Sequence, residues 1–263
     1  MKMYKKLLLG LFICLFFFSA LTGNIAARGT TDAWYIKRNG QKRPLLQKDQ
    51  EFIYKYDAYF IDKKLDDDSE RKILYLTFDL GYENGNTEKI LDTLYKENVP
   101  AAFFVLDNII LKNLDLVTRM INEGHLVCNH TKNHKNLCHA SEEEIKRCVL
   151  DLEKLYEEKT GECMAKYFRF PEGKFNEASL ATVQRLGYKT IFWSFAYADW
   201  DNKSQPQPTR AIKKIIDNTH NGAVILLHPT SETNAKIMPE LIKAWREMGY
   251  SFGTLDELVS TCN

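Results

Sequence analysis

The chain of 263 residues has no excess of either charge: 36 lysines and arginines balance 35 aspartates and glutamates, giving a formal net charge of +1. Nucleic-acid binding depends on basic side chains that neutralise phosphates, so this balance argues against a nucleic-acid partner. No Cys-x-x-Cys pair occurs among the 6 cysteines, which argues against a zinc site made of thiolates. No Gly-x-Gly-x-x-Gly or Gly-x-x-x-x-Gly-Lys-Ser/Thr motif follows an apolar run, so nothing indicates a bound nucleotide.

The N-terminal apolar run is short. Leu7–Ala20 is almost wholly apolar, but it falls below the roughly 20 residues that span a bilayer. It follows three lysines within Met1–Lys6 and precedes small residues around Ala26. This layout predicts that residues 1–27 are a secretory signal peptide, with an uncleaved membrane anchor as the alternative. Both interpretations predict export, and both limit membrane contact to this segment.

Apolar runs that lead to a polar residue recur along the rest of the chain. Ile73–Leu80 carries Asp79 near its end, and such a run is typical of a fully buried strand. The pattern recurs at three later places: Met164–Phe168 before Arg169, Thr190–Phe195 before Asp199, and Ala223–Leu227 before His228. Helical patterns alternate with these runs in roughly seven βα units, so we predict an α/β protein with a closed or nearly closed barrel. The site of such a barrel lies at the carboxyl ends of its strands.

The region before the first of these strands differs in composition. Residues 28–71 are polar and mixed, with aromatic residues such as Trp34 and an acidic run at Asp66–Asp68. We interpret them as an N-terminal extension packed on a main domain of residues 72–263. A small sugar-binding module is the weaker alternative, because so short a segment has little chain for a core of its own.

Two histidines are spaced for metal binding. His130 and His134 stand at i and i+4, and on a helical turn both imidazoles would face the same way and share one metal ion. The alternative is two surface histidines in a polar loop.

Three further residues suggest acid–base chemistry. Asp79 at the end of a buried strand needs a partner, and the planar guanidinium of Arg169 is suited to that role; a turn cap is the alternative. His228 follows a buried strand, where a satisfied core histidine is the alternative to a catalytic one. A metal, a carboxylate base and an imidazole acid together describe metal-assisted hydrolysis of an amide or ester.

Five motifs in this order resemble those of the polysaccharide deacetylases of carbohydrate esterase family four, the NodB-homology family. They are Thr77-Phe78-Asp79-Leu80-Gly81, His130-Thr131-Lys132-Asn133-His134, Arg169-Phe170-Pro171-Glu172-Gly173, Asp199-Trp200 and Leu226-Leu227-His228. The resemblance runs from about residue 73 to the C-terminus and implies a distorted (β/α)7 barrel. The continuation Tyr82-Glu83-Asn84-Gly85 is most similar to the δ-lactam-biosynthetic de-N-acetylases.

The resemblance implies a role for each motif. His130 and His134 would hold a divalent metal, with Zn²⁺ the expected ion. Asp79 would act as the general base, and protonated His228 would donate to the leaving amine.

Five more residues would support this chemistry. Arg169 and Asp199 would tune the base and the acid by charge and hydrogen bonding. The backbone N–H of Glu172 would help the metal to stabilise the oxyanion. Leu226 and Trp200 would line the pocket for the acetyl methyl group.

Leu80 departs from the family pattern. Most members have an aspartate there as the third metal ligand, which a leucine cannot replace. Three outcomes stay open: the metal binds loosely with extra waters, Asp79 itself coordinates it, or the enzyme barely needs a metal.

The implied substrate is the glycan strand of peptidoglycan, at N-acetylmuramic acid residues that lack a stem peptide. This reaction lies on the route to the muramic δ-lactam of the spore cortex, so we expect the protein in the cell wall or in the cortex compartment. One alternative is deacetylation of N-acetylglucosamine polymers, either chitin oligomers or peptidoglycan. Another is a wall-glycan binding protein whose catalysis is weak.

Overall fold

The computed structural model describes residues 32–260. The strands are β1 Asp32–Ala33, β2 Ala58–Tyr59, β3 Ile73–Leu80, β4 Ala101–Val105, β5 Leu126–Asn129, β6 Ala165–Phe168, β7 Lys174–Phe175, β8 Lys189–Ile191, β9 Ala223–Leu227 and β10 Ser251–Phe252. The helices are α1 Thr87–Lys96, α2 Asp107–Lys112, α3 Leu114–Asn122, α4 Glu142–Thr160, α5 Glu177–Arg185, α6 Pro208–Ile216, α7 Glu232–Glu247 and α8 Leu255–Val259, with 3-10 helices at Lys48–Tyr56 and Pro171–Gly173. The predicted signal segment, residues 1–27, lies outside the described residues.

Eight strands form one parallel sheet in the order β10-β3-β4-β5-β6-β8-β2, with β9 also paired to β3. The sheet curves into a barrel that no continuous ladder closes. Isolated bridges join Ile61 to Ala223 and Phe195 to Ile225, and these link the β2–β8 side to β9. The predicted α/β fold with a distorted barrel is therefore confirmed. Only these isolated bridges, and no continuous strand pairing among the described residues, join the two sides of the sheet.

The central strand β3 separates two layers of core. Ile73 and Tyr75 pack inside the barrel, whereas Leu74, Leu76 and Leu80 pack in the outer layer with the helices. Because successive side chains of a strand point to opposite faces, this alternation places Asp79 on the interior side, opposite to Leu80. The near-continuous apolar run of β3 thus packs in both layers of the core. Its second-last residue, Asp79, places a carboxylate at the mouth of the barrel.

The described part of the N-terminal extension contributes strands of its own. β2 pairs with β8 in the main sheet, and β1 forms a two-stranded antiparallel sheet with β7. Ile53 of the intervening 3-10 helix is fully buried. The division at residues 71 and 72 stays a prediction.

One strand is shorter than predicted. The run Thr190–Phe195 was expected to be extended throughout, but β8 ends at Ile191. The carbonyl oxygens of Ile191 and Phe192 accept hydrogen bonds from the Arg169 side chain at 2.9 and 3.4 Å. The chain bends here because a buried guanidinium takes these acceptors. Within residues 32–260, no helix is both long and apolar enough to cross a membrane.

Candidate active site

The predicted site residues collect at the carboxyl ends of the strands. Asp79 is the second-last residue of β3. His130 directly follows β5, Arg169 follows β6 and His228 follows β9. Parallel strands end at the same edge of the barrel, so residues far apart in sequence meet there. Asp199 joins them from the loop after β8.

Arg169 and Asp79 form a buried ion pair. The guanidinium is 0% exposed, and its Nη1 lies 2.8 Å from Asp79 Oδ1. Its Nη2 donates to Thr77 Oγ1 at 2.9 Å, and the guanidinium carbon lies 4.1 Å from the ring centroid of Phe104. Burial opposes ionisation of Asp79 and is the largest single effect, but the charge and hydrogen bond of Arg169 outweigh it together with the charges of His130 and His228. The pKa of Asp79 is therefore lowered, and the carboxylate is ionised at neutral pH.

His130 is held in one orientation. Its Nδ1 lies 2.9 Å from the carbonyl oxygen of Arg169, an acceptor, so Nδ1 carries the proton and Nε2 keeps its lone pair. Nε2 lies 3.6 Å from Asp79 Oδ2. Burial lowers the pKa of His130 to about 4, so the ring is neutral at pH 7. A neutral imidazole with a fixed tautomer is the form that binds metals.

His134 lies beside His130, but not through a helical turn. The ring centroids are 4.9 Å apart at an interplanar angle of 68°. The segment between them is a loop, in which Thr131 has φ 70° and His134 has φ 57°. The predicted helical turn is wrong, because tertiary bonds set the loop instead: Lys132 N donates to the Cys148 carbonyl at 3.0 Å, and its carbonyl accepts from Asp107 N at 3.1 Å.

The donor set fits a loosely held divalent cation. His130 and exposed His134 offer two adjacent imidazoles, and the tautomer of His130 is set for coordination. Catalytic zinc usually has three protein ligands. Among residues 32–260, no group of three or more His, Cys, Asp or Glu side chains could hold a metal ion. Leu80 is fully buried in the outer core layer and contributes no donor.

His228 and Asp199 form the second pair of the site. Asp199 is 0% exposed, and its Oδ1 lies 2.8 Å from His228 Nδ1. Its Oδ2 accepts the backbone N–H of His228 at 2.9 Å and the amide of Asn234 at 2.6 Å. Burial is the largest single effect and alone would lower the pKa of His228, but the hydrogen bond and charge of Asp199, together with the charge of Asp79, outweigh it. The pKa of His228 is therefore raised above its ordinary value.

The sequence did not indicate the residues that orient Asp199. Besides Asn234, they include Tyr197, whose hydroxyl donates to Asn234 Oδ1. Gln205 donates from Nε2 to the Asp199 carbonyl at 3.0 Å. Asn234 lies in the first turn of α7, capped by Ser231. That cap, three residues after a strand-end histidine, is the local signal that could have pointed to Asn234.

The loop after Arg169 is bent sharply at Glu172. This residue is exposed and has φ 58°, and its carboxylate pairs with Lys174 Nζ at 2.5 Å. Gly173 follows with φ 64°. Two successive residues in the left-handed region turn the Glu172 peptide out of the regular path. Glu172 is also close enough to His134 for the two to interact electrostatically.

Leu226 and Trp200 lie at different depths. Leu226 is 4% exposed and pairs with Thr77 in the ladder. It is two residues before His228, so both point to the same face of the strand path. Trp200 is 57% exposed, and its ring contacts that of His228 edge to face, with centroids 5.8 Å apart. Leu226 is therefore buried below the mouth of the barrel, whereas Trp200 lies at its surface.

Comparison with known proteins agrees with this arrangement. A family model described as polysaccharide deacetylase matches residues 66–191. An uncharacterised 30.6 kDa protein of Geobacillus stearothermophilus is 40% identical over 226 residues, covering 86% of this chain and 83% of the relative. The peptidoglycan-N-acetylmuramic acid deacetylase PdaA of Bacillus subtilis is 36% identical over 228 residues, covering 86% of this chain and 85% of PdaA.

The fold comparison leads to the same family. The solved structure of Bacillus subtilis PdaA, a family 4 carbohydrate esterase, matches with a TM-score of 0.81 at 35% identity, covering 87% of this chain and 96% of that one. The resemblance inferred from the five motifs is thus confirmed. The chain belongs to the polysaccharide deacetylases of carbohydrate esterase family four, hydrolases that cleave N-acetyl amide bonds.

Proposed function

We propose that this protein removes the acetyl group from N-acetylmuramic acid residues of peptidoglycan that lack a stem peptide. The observation that carries the proposal is the pairing at the barrel mouth: an ionised carboxylate held by Arg169, and an imidazole with raised pKa held by Asp199. The two pairs interact, because the charge of His228 contributes to the lowered pKa of Asp79. A base and an acid so placed serve the two proton transfers of amide hydrolysis.

Asp79 is the proposed base. It takes a proton from the attacking water as the oxygen of that water bonds to the acetamide carbon. Arg169 holds Oδ1 at 2.8 Å, which leaves Oδ2 to accept the proton. A carboxyl group with a lowered pKa is a weak base, so the water itself has to be made more acidic.

A divalent cation on His130 and His134, Zn²⁺ by preference, would supply that acidity and would polarise the acetamide carbonyl. The buried, neutral ring of His130 and the exposed ring of His134 are the groups that would hold it. With two protein ligands, binding is weaker than at three-ligand sites.

His228 is the proposed acid. When the tetrahedral carbon collapses, the C–N bond breaks and the protonated imidazole donates to the departing amine, giving acetate and muramic acid with a free amino group. Asp199 keeps the proton on Nδ1 and stabilises the imidazolium, so Nε2 faces the substrate. The backbone N–H of Glu172 is the proposed donor to the carbonyl oxygen as its charge grows.

The substrate assignment follows the relatives. PdaA, which is 36% identical, acts on N-acetylmuramic acid of peptidoglycan. We extend this to muramic acid without its peptide, on the route to the δ-lactam of the spore cortex. Residues 1–27 would direct export to the wall or cortex compartment, with membrane contact limited to an uncleaved segment. Buried Leu226 would contact the acetyl methyl, and exposed Trp200 would contact the sugar.

Acetate release tests the proposal. Purified protein is incubated with muramic-acid glycan strands with and without stem peptide, and with chitin oligomers, each beside Asp79→Ala. Release from strands without peptide, absent in Asp79→Ala, is the expected result. Release only from chitin oligomers would reassign the substrate to N-acetylglucosamine polymers. Glycan binding that survives Asp79→Ala, with no acetate from the parent protein, would favour a binding protein instead.

A further inference from the structure

The N-terminal extension contacts the loop that follows Arg169, at Gly173 and Lys174. Trp34, only 5% exposed, donates from its backbone N–H to the Gly173 carbonyl at 2.8 Å. Its indole Nε1 donates to the Trp193 carbonyl at 2.8 Å. Trp34 lies outside residues 66–191, the part that the family model matches, and it belongs to none of the five motifs.

Gly173 is the point where these contacts converge. It has φ 64°, and a Cβ added there would meet Trp193 Cη2 at 2.8 Å and Trp34 Cβ at 3.1 Å. The two tryptophans therefore pack closely against the backbone of Gly173, directly after Glu172. β1 adds a further contact to this loop, since Ala33 pairs with Lys174.

Trp193 connects the same contact to the base. Its ring centroid lies 5.8 Å from the guanidinium carbon of Arg169, the residue that binds Asp79. Trp34 itself is fixed by stacking on Phe192, with ring centroids 4.3 Å apart and planes 13° from parallel. Trp34 thus contacts both Gly173, which directly follows Glu172, and Trp193, whose ring lies beside Arg169.

The backbone at this loop needs such support. Glu172 and Gly173 are successive residues with positive φ, and a glutamate in that region is strained unless its surroundings hold it. Ordinary core packing would require only the apolar face of Trp34. The two hydrogen bonds of Trp34 go further, because they join the Gly173 carbonyl in this loop to the Trp193 carbonyl after β8 and so fix the position of the loop.

We propose that Trp34 is a positioning residue of the active site, which holds the Glu172 backbone N–H where the oxyanion forms. The inference rests on the proposed function of that N–H. Loss of the support misplaces a donor that acts mainly in the transition state, so it lowers kcat and leaves KM nearly unchanged.

Two variants of Trp34 and two control variants separate positioning from stability. Trp34→Ala removes both the stacking and the indole donor, whereas Trp34→Phe keeps the stacking and removes only the donor. Leu94→Ala opens a cavity in α1, in the outer core layer, and serves as the stability control. Tyr35→Ala alters the exposed neighbour.

We expect Trp34→Ala to lower kcat by about tenfold to a hundredfold, with KM within about twofold, and Trp34→Phe to fall between it and the parent. Folded Leu94→Ala and Tyr35→Ala keep the parent kcat. Backbone hydrogen exchange over residues 170–175 rises in Trp34→Ala and not in Leu94→Ala.

An unchanged kcat and unchanged exchange in folded Trp34→Ala would overturn the inference and leave the proposed function in place. An equal loss of kcat in Leu94→Ala would also overturn it, since general destabilisation would then explain the effect. A parent protein that releases no acetate from any glycan would instead overturn the proposed function, and the inference with it.

Discussion

The carboxylate of Asp199 binds His228 twice: its Oδ1 lies 2.8 Å from the ring Nδ1, and its Oδ2 accepts the backbone N–H of the same residue at 2.9 Å. The acid and its partner therefore form a rigid unit. Because Asp199 is completely buried, its charge acts on the imidazole with little screening by water.

The substitution Asp199→Asn tests this unit by pH dependence. The pKa of His228 is raised in the folded parent above the ordinary value of about 6.5, so a larger fraction of the acid is protonated at neutral pH than in an ordinary histidine, and activity falls as pH rises through that raised pKa. Without the Asp199 charge this alkaline limb moves to lower pH, and kcat at pH 7 drops by about tenfold or more. A pH–rate profile measures both. Asp201→Asn, at an exposed carboxylate two residues on, leaves the profile unchanged; an unmoved limb in Asp199→Asn would remove the assigned acid.

Arg169→Met tests the buried ion pair through stability. Removal of one partner leaves Asp79 without its counter-ion, so the free energy of unfolding at pH 7 falls by about 3 to 5 kcal/mol. Urea titration measures this loss. The folded pKa of Asp79 is lowered, so the pair stabilises the parent above the unfolded pKa of about 4 and loses this effect as pH falls through the folded value. The difference between parent and variant therefore narrows in acid; a constant difference would mean that the pair does not account for it.

Asn234→Leu tests a residue that the motifs do not include. Its amide binds Asp199 Oδ2 at 2.6 Å, so the change leaves a buried carboxylate oxygen with one donor fewer. We expect kcat to fall by about tenfold with KM unchanged, and the free energy of unfolding to fall by about 1 to 3 kcal/mol. Steady-state kinetics and denaturant titration provide the two values. Glu232→Gln, exposed in the same helical turn, is the control. Full activity in folded Asn234→Leu would show that Asp199 needs no further support.

The strand-end residues could be predicted because a buried charge requires a partner. Asp79 and Arg169 were paired on that ground, and the two lie 2.8 Å apart. The geometry of His130 and His134 could not be predicted from their spacing, since bonds from distant segments, and not helical periodicity, fix their loop.

The supports of the site had no sequence signal of comparable strength. Asn234 lies in none of the five motifs, and Trp34 lies in an extension that composition describes only as polar and aromatic. Their roles depend on which carbonyls and carboxylates the fold brings beside them, here Asp199 and Gly173. Such tertiary hydrogen bonds leave no periodic pattern in a single sequence.

Metal titration tests the two-imidazole site. After chelation and dialysis, we expect activity to return on addition of Zn²⁺, at higher concentrations than three-ligand sites require. His134→Ala, which removes the exposed ligand, raises the required concentration further, whereas Asn133→Ala in the same loop does not. Equal Zn²⁺ dependence in parent and His134→Ala would exclude His134 as a ligand.

Acetate release by Asp79→Asn is the most direct test of the proposed mechanism. The substitution keeps size and polarity and removes the proton acceptor, so on muramic-acid strands without stem peptide the account predicts a loss of about a hundredfold or more relative to the parent. The same rate in parent and folded Asp79→Asn would contradict the role assigned to this carboxylate.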